Sequence, residues 1–583
     1  MKVFQRGLFN TNTELCNVQE MYFRTNSNSK FENSINLENN EFFETNTYFN
    51  CVSVDKLKRH TNIKDIACWF EFKGYVKISF FNLDNDLKNT KLFEVELDAK
   101  EKEIKKIDIV QWDFLSEGLL YFRIDVLSEL ELFNFYYSTE SCEINNVKLA
   151  IVITHFNRQD YLLPALKRIQ ADIINNYENI DVIVSDNSQN LGFEDNDRIK
   201  VYKNKNYGGS GGFTFGLLKS MEKGYTHCLF MDDDASTESE CILRTYDILS
   251  FIREKNIAIS GSMLYEKESN ILHESGARIK NGIEAINCGL DLKLVESLII
   301  NDVDEKIEYG GWWFFAFSLS DVDVLPYPFF VKGDDMCFSV SNNFEILTIN
   351  GICSWQEDFL VKHNAFSQYL SSRSWAVLNL LSIDQRGFFG FLNLYIFDII
   401  RGLLINQYDL SRIALLAYRD LIFDGNLWLD NIDMVVKREQ IIKMVKYEKY
   451  LPNDLDFSYL EVNYGKKKIV EECFFRKVVR IFTFNGLLIP SVFFSKETLI
   501  VPKNYFRLSE VFLRKNVLYV DLNNNTAFKV VHNKFVILFY LFYFLLMFCV
   551  LVFSYPILKK SYKKKYADLT KKEFWLKILD LDW

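Results

Sequence analysis

The chain lacks several signatures that would point to a specialised class. Its 11 cysteines include no C-x-x-C pair and form no even framework, so reduced, cytosolic thiols are the expectation. No basic stripe dominates the folded part and the formal net charge is −10, which argues against nucleic acid as a partner. The start, Met1-Lys2-Val3-Phe4-Gln5-Arg6-Gly7, has no apolar h-region, so export through a signal peptide is not expected. Internal repeats and low-complexity tracts are not evident.

Apolar and aromatic residues are abundant. At 583 residues with 49% hydrophobic character, the chain has material for real cores and about three domains of roughly 150 residues. Aromatics reach 16%, with 53 Phe, a composition suited to a membrane surface or to sugar binding through ring faces. Residues 535–558 carry no charge and are almost wholly apolar, longer than the ~20 residues needed to cross a bilayer. Lys534 precedes this stretch, and Lys559, Lys560, Lys563, Lys564 and Lys565 follow it. A full span from a cytosolic body would export those lysines, against the positive-inside tendency. A re-entrant or in-plane helix avoids that cost, so membrane attachment is expected without a commitment to a span.

Texture divides the rest. Residues 1–146 show short alternating segments such as Gly74-Tyr75-Val76-Lys77-Ile78-Ser79-Phe80-Phe81, which predict an antiparallel β-sandwich. From 147 to 375, β/α alternation predicts a parallel sheet with covering helices: strands at 148–154, 181–185 and 199–202, helices at 161–170 and through Lys219, and a strand through Leu229. Residues 376–530 read as mainly helical, and 531–583 as the hydrophobic helix with its lysine-rich tail.

Polar residues gather at the predicted strand ends. Thr226-His227-Cys228-Leu229-Phe230 reads as a buried strand that runs into Met231-Asp232-Asp233-Asp234. Carboxylates at such an end lie where open α/β sheets bind ligands, and can hold a hard cation that grips a diphosphate. Three other ends match: Phe156-Asn157-Arg158, where Arg158 suits a phosphate and Phe156 a base; Asp186-Asn187, suited to uracil or ribose; and Asn206 before Gly208-Gly209-Ser210-Gly211-Gly212, where glycines permit close backbone approach. A later acid pair, Gly333-Asp334-Asp335, either caps a helix or supplies a base. Trp312 and Trp313 follow Gly310-Gly311; strand alternation would send one ring to the core and the other to a cleft.

Taken together, these pieces resemble the inverting family-2 glycosyltransferases with the GT-A fold, and among them the bacterial galactofuranosyltransferases and their rhamnosyltransferase relatives. The resemblance runs from Ile151 to about Gly425, includes Gly311-Trp312-Trp313 and Ala417-Tyr418-Arg419-Asp420, and extends to the N-terminal β-domain of the polymerising galactofuranosyltransferases. It implies that Asp232 and Asp234 bind donor and metal, that Phe156, Arg158, Asp186, Asn206, Gly209, Asp232 and Asp233 hold the nucleotide sugar, and that Trp312 and Trp313 receive the acceptor. Asp335 would be the general base and Asp334 would orient the acceptor. Members usually carry a Trp-His pair after the base; here it reads Trp355-Gln356. An amide oxygen suits Mg²⁺ or Mn²⁺ better than softer metals, and His363 is a substitute ligand to test. The implied activity is transfer of galactofuranose from UDP-galactofuranose to a growing lipid-linked or oligosaccharide cell-surface glycan, at the cytoplasmic face of the bacterial inner membrane. Rhamnosyl, ribosyl or glucosyl transfer and a silent glycan-binding scaffold are the alternatives. A homo-oligomer remains open.

Overall fold

The computed structural model describes residues 1–11, 14–357, 364–452, 472–503, 508–522 and 524–582. It comprises two compact units: Met1–Pro326 with Asp335–Glu357 and Lys571–Trp583, and Tyr327–Asp334 with Asp358–Thr570.

In the first unit, strands β1 (Lys2–Arg6), β2 (Ile35–Glu38), β3 (Phe42–Glu44), β4 (Val52–Ser53), β5 (Ala67–Leu83), β6 (Asn89–Asp108) and β7 (Leu119–Thr139) form one antiparallel sheet. The expected N-terminal β-domain is present, its seven strands joined through continuous hydrogen bonding. Its long strands of 17, 20 and 21 residues run as β6-β5-β7, and the four short strands line the other edge of β7 in succession. Alternate residues of β5 and β7 face an aromatic core, where Phe122 meets Phe70 and Phe135 edge to face, the geometry that ring quadrupoles favour.

The chain then builds an open α/β sheet. Its strands are β8 (Leu149–His155), β9 (Ile180–Asp186), β10 (Ile199–Lys203), β11 (His227–Asp232), β12 (Ile257–Ser260), β17 (Phe315–Ser318) and β18 (Glu345–Leu347), in the order β10-β9-β8-β11-β17-β12-β18. A smaller sheet contains β13 (Ser262–Tyr265), β14 (Leu272–Glu274) and β19 (Cys353–Gln356), while β15 (Ala277–Ile279) and β16 (Ile283–Ala285) make a hairpin. Helices α1 (Gln159–Ile169), α2 (Gly208–Glu222) and α3 (Ser239–Phe251) connect the strands, the first two close to the expected positions. β8 is buried along nearly all its length, as a strand covered on both faces must be.

The two sheets share this unit through α3. Arg244, 0% exposed, donates to the carbonyls of Phe49 at 2.9 Å and Gly351 at 3.3 Å. Arg6 of β1 bonds Asp247 at 2.7 Å and Glu240 at 3.5 Å, and the Tyr22 hydroxyl donates to Glu238 at 2.7 Å.

The second unit begins as expected with helices: α5 (Ala365–Leu380), α6 (Gly387–Leu404), α7 (Tyr408–Phe423) and α8 (Val435–Met444). A further helix, α4 (Asp334–Ser341), starts at the Asp pair and from Asp335 onward belongs to the first unit. The helical expectation fails beyond 444, where β20 (Leu451–Pro452), β21 (Ser495–Pro502), β22 (Arg514–Asp521) and β23 (Thr526–Val531) form a four-stranded sheet. Val517 and Tyr519 on one strand and Phe528 and Val530 on the next are buried with a period of two, a strand pattern shadowed by the helices around it. Between them lies the short helix α9 (Phe474–Phe482). The hydrophobic stretch is one 36-residue helix, α10 (Lys534–Leu569). The tail closes with α11 (Lys572–Leu579) in the first unit, where Trp575 is fully buried and donates to the Pro326 carbonyl at 2.8 Å.

Arg244→Leu removes the Phe49 carbonyl's donor, leaves the Gly351 carbonyl only the Cys241 thiol, and takes a cation from buried Glu240 3.8 Å away. Chemical denaturation should show a loss of about 3–5 kcal/mol; a loss under about 1 kcal/mol would show that the seam between the sheets does not need it.

Candidate active site

Strand order reverses beside β8. β9 and β10 extend the sheet on one side and β11 joins on the other, with Asp232 in register with Thr154. The crevice beyond the C-terminal ends of β8 and β11 is thus a topological switch point, the place where such sheets bind ligands. Asp232 is the last residue of β11, and Asp233 and Asp234 lie in the following turn. That turn is tied to β19: Ser236 and Trp355 exchange backbone hydrogen bonds of 3.0 and 2.8 Å, and the Thr237 hydroxyl donates to the Cys353 carbonyl at 2.6 Å. The pairing delivers Gln356 to the carboxylates.

Gln356 is 1% exposed. Its Nε2 donates to Asp232 Oδ2 at 3.2 Å and to Asp234 Oδ1 at 3.0 Å. Its Oε1 is buried without a hydrogen-bond partner among the described residues. Arg158 forms an ion pair with Asp234 and approaches Asp233 at 3.9 Å. Burial works against the Arg158 charge, yet Asp234, Asp233, Asp232 and Glu357 outweigh it and hold its pKa above the ordinary value. Asp233 accepts from the Phe156 backbone N–H at 2.8 Å and lies 3.3 Å from Nδ1 of fully buried His155. Sequence reasoning assigned His155 no role, and a histidine at a strand end carries no local signal of one. The Arg158 expected on a phosphate therefore has the acid triplet as its partner here, while Phe156 is 40% exposed at the crevice.

Two other expected nucleotide contacts also order turns of the fold. Asp186 is 1% exposed and accepts from Ser188 N, Ser188 Oγ, Gln189 N and Leu191 N at 2.8–3.1 Å. It shapes the turn after β9, as aspartates in turns commonly do. Asn206 accepts from Gly208 N at 2.9 Å, ordering the entry to α2. The glycine run serves helix packing beyond half-buried Gly209: a Cβ on Gly212 would lie 2.3 Å from Thr154, and one on Gly216 2.2 Å from Val152. Small residues here let α2 press onto β8.

The tryptophan pair also departs from expectation. Trp312 and Trp313 precede β17 in a turn, so strand alternation does not govern them. Trp312 is 5% exposed among Phe213, Phe230 and Phe338, and Trp313 is 8% exposed, donating to the Gly261 carbonyl at 3.2 Å. Neither presents an open ring face.

Asp335 is half-buried at the start of α4. Asp334 is 7% exposed. Near Asp335 lies a carboxyl that sequence reasoning missed. Glu274, at the end of β14, is 3% exposed, and its Oε1 has no hydrogen-bond partner among the described residues. Burial first, and the Asp335 carboxylate second, raise it from its ordinary 4.5 to about 8. Tyr309 feels both acids. Only its place on a buried strand distinguishes Glu274. His363 lies outside the described residues.

An open α/β sheet with clustered carboxylates at its switch point defines a GT-A type nucleotide-sugar domain. Residues 150–277 match the profile of Glycosyl transferase family 2, and this segment is a domain of that family. Galactofuranosyltransferase GlfT2 of Mycolicibacterium smegmatis is 26% identical over 270 residues, 40% of this chain and 41% of that protein. The GalNAc(5)-diNAcBac-PP-undecaprenol beta-1,3-glucosyltransferase of Campylobacter jejuni is 32% identical over 138 residues, 22% of this chain and 41% of that protein. The chain thus spans less than half the length of these relatives. The solved glucosyl-3-phosphoglycerate synthase of Mycobacterium tuberculosis, in complex with Mn²⁺ and UDP-glucose, shares 11% identity and a TM-score of 0.27 over 41% of this chain and 80% of its own.

The Glu274 proton is held to higher pH in the folded protein than in the unfolded chain. Its charge therefore destabilises nothing below pH about 4.5 and progressively more as pH rises through about 8. Glu274→Gln should gain stability relative to the parent across that window, on the order of a few kcal/mol. A difference that does not change with pH would contradict the assignment.

Proposed function

We propose that this protein transfers a sugar, galactofuranose from UDP-galactofuranose, to a hydroxyl of a growing lipid-linked cell-surface glycan, with inversion at the anomeric carbon. One observation carries the reading: Asp232 and Asp234 converge on Gln356 at the switch point. In this reading they serve the diphosphate, and Asp335, near the buried Glu274 carboxyl, serves as the base.

The donor set fits a hard divalent cation. Two carboxylates meet at one amide, and the orphaned Gln356 Oε1 exchanges places with Nε2 on a half-turn of that amide. Asp232, Asp234 and Gln356 would hold Mg²⁺ or Mn²⁺ through oxygen alone, consistent with hard-cation preference. Bound there, the ion would supply positive charge to the departing diphosphate. Phe156 would lie against the base, and Arg158, Asp233 and the Gly209 backbone would border the donor. Asp186 and Asn206 support that wall through the turns they order.

In the transfer, Asp335 accepts the proton of the acceptor hydroxyl as its oxygen bonds to the anomeric carbon. The bond from that carbon to the diphosphate breaks on the opposite face, through an oxocarbenium-like state. Asp334 would orient the acceptor, and Trp312 and Trp313 would keep the wall behind it rigid. The acceptor's lipid would reside at the cytoplasmic face of the plasma membrane, with the protein attached through the surface that includes residues 535–558. Rhamnosyl, ribosyl or glucosyl transfer is the alternative within the same chemistry. Gln356 favours a second reading: an amide that permanently bridges both acids would leave a glycan-binding protein without transfer.

Asp335→Asn should lower transfer at least ~100-fold while leaving donor binding intact; unchanged transfer would remove Asp335 as the base. A panel of nucleotide-activated sugars, assayed with and without Mn²⁺, should show turnover of UDP-galactofuranose only with the ion. Sugar binding with no nucleotide binding at all would select the silent reading.

A further inference from the structure

We infer that residues 474–493 are a second lipid-binding element, an amphipathic helix and loop that lie flat on an anionic bilayer beside the outer face of α10. This inference extends the attachment read from residues 535–558 and does not rest on sugar transfer.

The sequence of α9 is Phe-Phe-Arg-Lys-Val-Val-Arg-Ile-Phe. At about 100° per residue its six apolar side chains fall within an arc of roughly 160°, and Arg476, Lys477 and Arg480 occupy the opposite arc. No residue of this nine-residue helix is buried. Phe474, Phe475 and Phe482 are 75–80% exposed. A helix this short is marginal on propensity alone, and its apolar face is covered only at half-buried Val478 and Val479 among the described residues. The following loop continues the surface with Leu488, Val492 and Phe493, each at least 65% exposed.

The segment is nevertheless held at its base. Asn485 donates to the Leu404 carbonyl at 2.7 Å, at the end of α6. Lys534, the first residue of α10, donates to the Ile489 carbonyl, and Phe494 is buried against the His532 ring. These ties set the loop beside the first turns of α10, where Phe535, Leu538, Phe539 and Phe542 are also exposed. Two apolar surfaces from separate parts of the chain therefore adjoin.

The opposite face of α10 is a protein seam. Phe544, Met547, Leu551, Tyr555 and Leu558 are buried, the Tyr395 hydroxyl donates to the Phe544 carbonyl at 2.8 Å, and the Tyr555 hydroxyl to Asn379 at 3.2 Å. A helix with one face on its own bundle and the other apolar suits the plane of an interface.

Charge selects the occupant. Glu472 pairs with Arg480 at 2.8 Å and Arg476 at 3.8 Å, yet α9 itself holds three cations and no anion. Phenylalanines opposed to lysine and arginine are the composition of helices that enter the headgroup region of anionic membranes, whereas protein interface cores are poor in lysine.

Flotation of the full chain with vesicles tests this directly. The protein should float with phosphatidylcholine vesicles containing about 30% phosphatidylglycerol and much less with phosphatidylcholine alone. Phe475→Ser, Phe482→Ser and Phe493→Ser combined should cut the floated fraction at least about tenfold with circular dichroism unchanged, and Lys477→Glu should reduce binding only to the anionic vesicles. In a Phe493→Trp variant the indole emission should shift to the blue on adding anionic vesicles. Flotation of the triple variant equal to the parent overturns the proposal. So does a triple variant whose only change is dissociation of an oligomer, since the surface would then belong to a second copy.

Discussion

Three carboxylates at the end of one buried strand repel one another and lose water, and the first unit is arranged to answer that charge. Asp233 receives a backbone N–H and faces His155; Asp234 receives Arg158; Gln356 reaches Asp232 and Asp234 together. The counter-groups come from two separate parts of the chain. The turn after β8 supplies the first two, and β19, zipped to the loop behind the triplet, supplies the last. Leaving such charges without partners would cost several kcal/mol each. The packing of β8, β11 and β19 and the charge distribution of the site are therefore one constraint.

That constraint also makes the site receptive. The Arg158 guanidinium and the Gln356 amide stand beside the acids where a bound cation would take their place. Glu274 adds a buried acid near Asp335, and burial together with that neighbouring carboxylate raises its pKa to about 8.

The β/α order, the triplet and the second Asp pair were legible in the sequence because strand ends punctuate buried apolar runs with acid, glycine and asparagine. A turn-forming side chain and a binding one look alike in sequence, and the turn that Asp186 orders through four donors is visible only in three dimensions. Trp312 and Trp313 were judged by strand alternation, and a turn removed that premise. Glu274 was invisible, since its raised pKa arises from burial and from a residue about sixty positions later. The sheet of residues 495–531 was missed because its short alternating runs lie between helices.

The central claim is that the acid triplet, bridged by Gln356, is a cation-dependent nucleotide site. Titration calorimetry of UDP into the full-length protein tests it most directly. Binding should appear with Mn²⁺ or Mg²⁺, vanish in chelator, and fall at least about tenfold in Asp234→Asn. Equal UDP affinity in chelator, or in Asp234→Asn, would contradict the account.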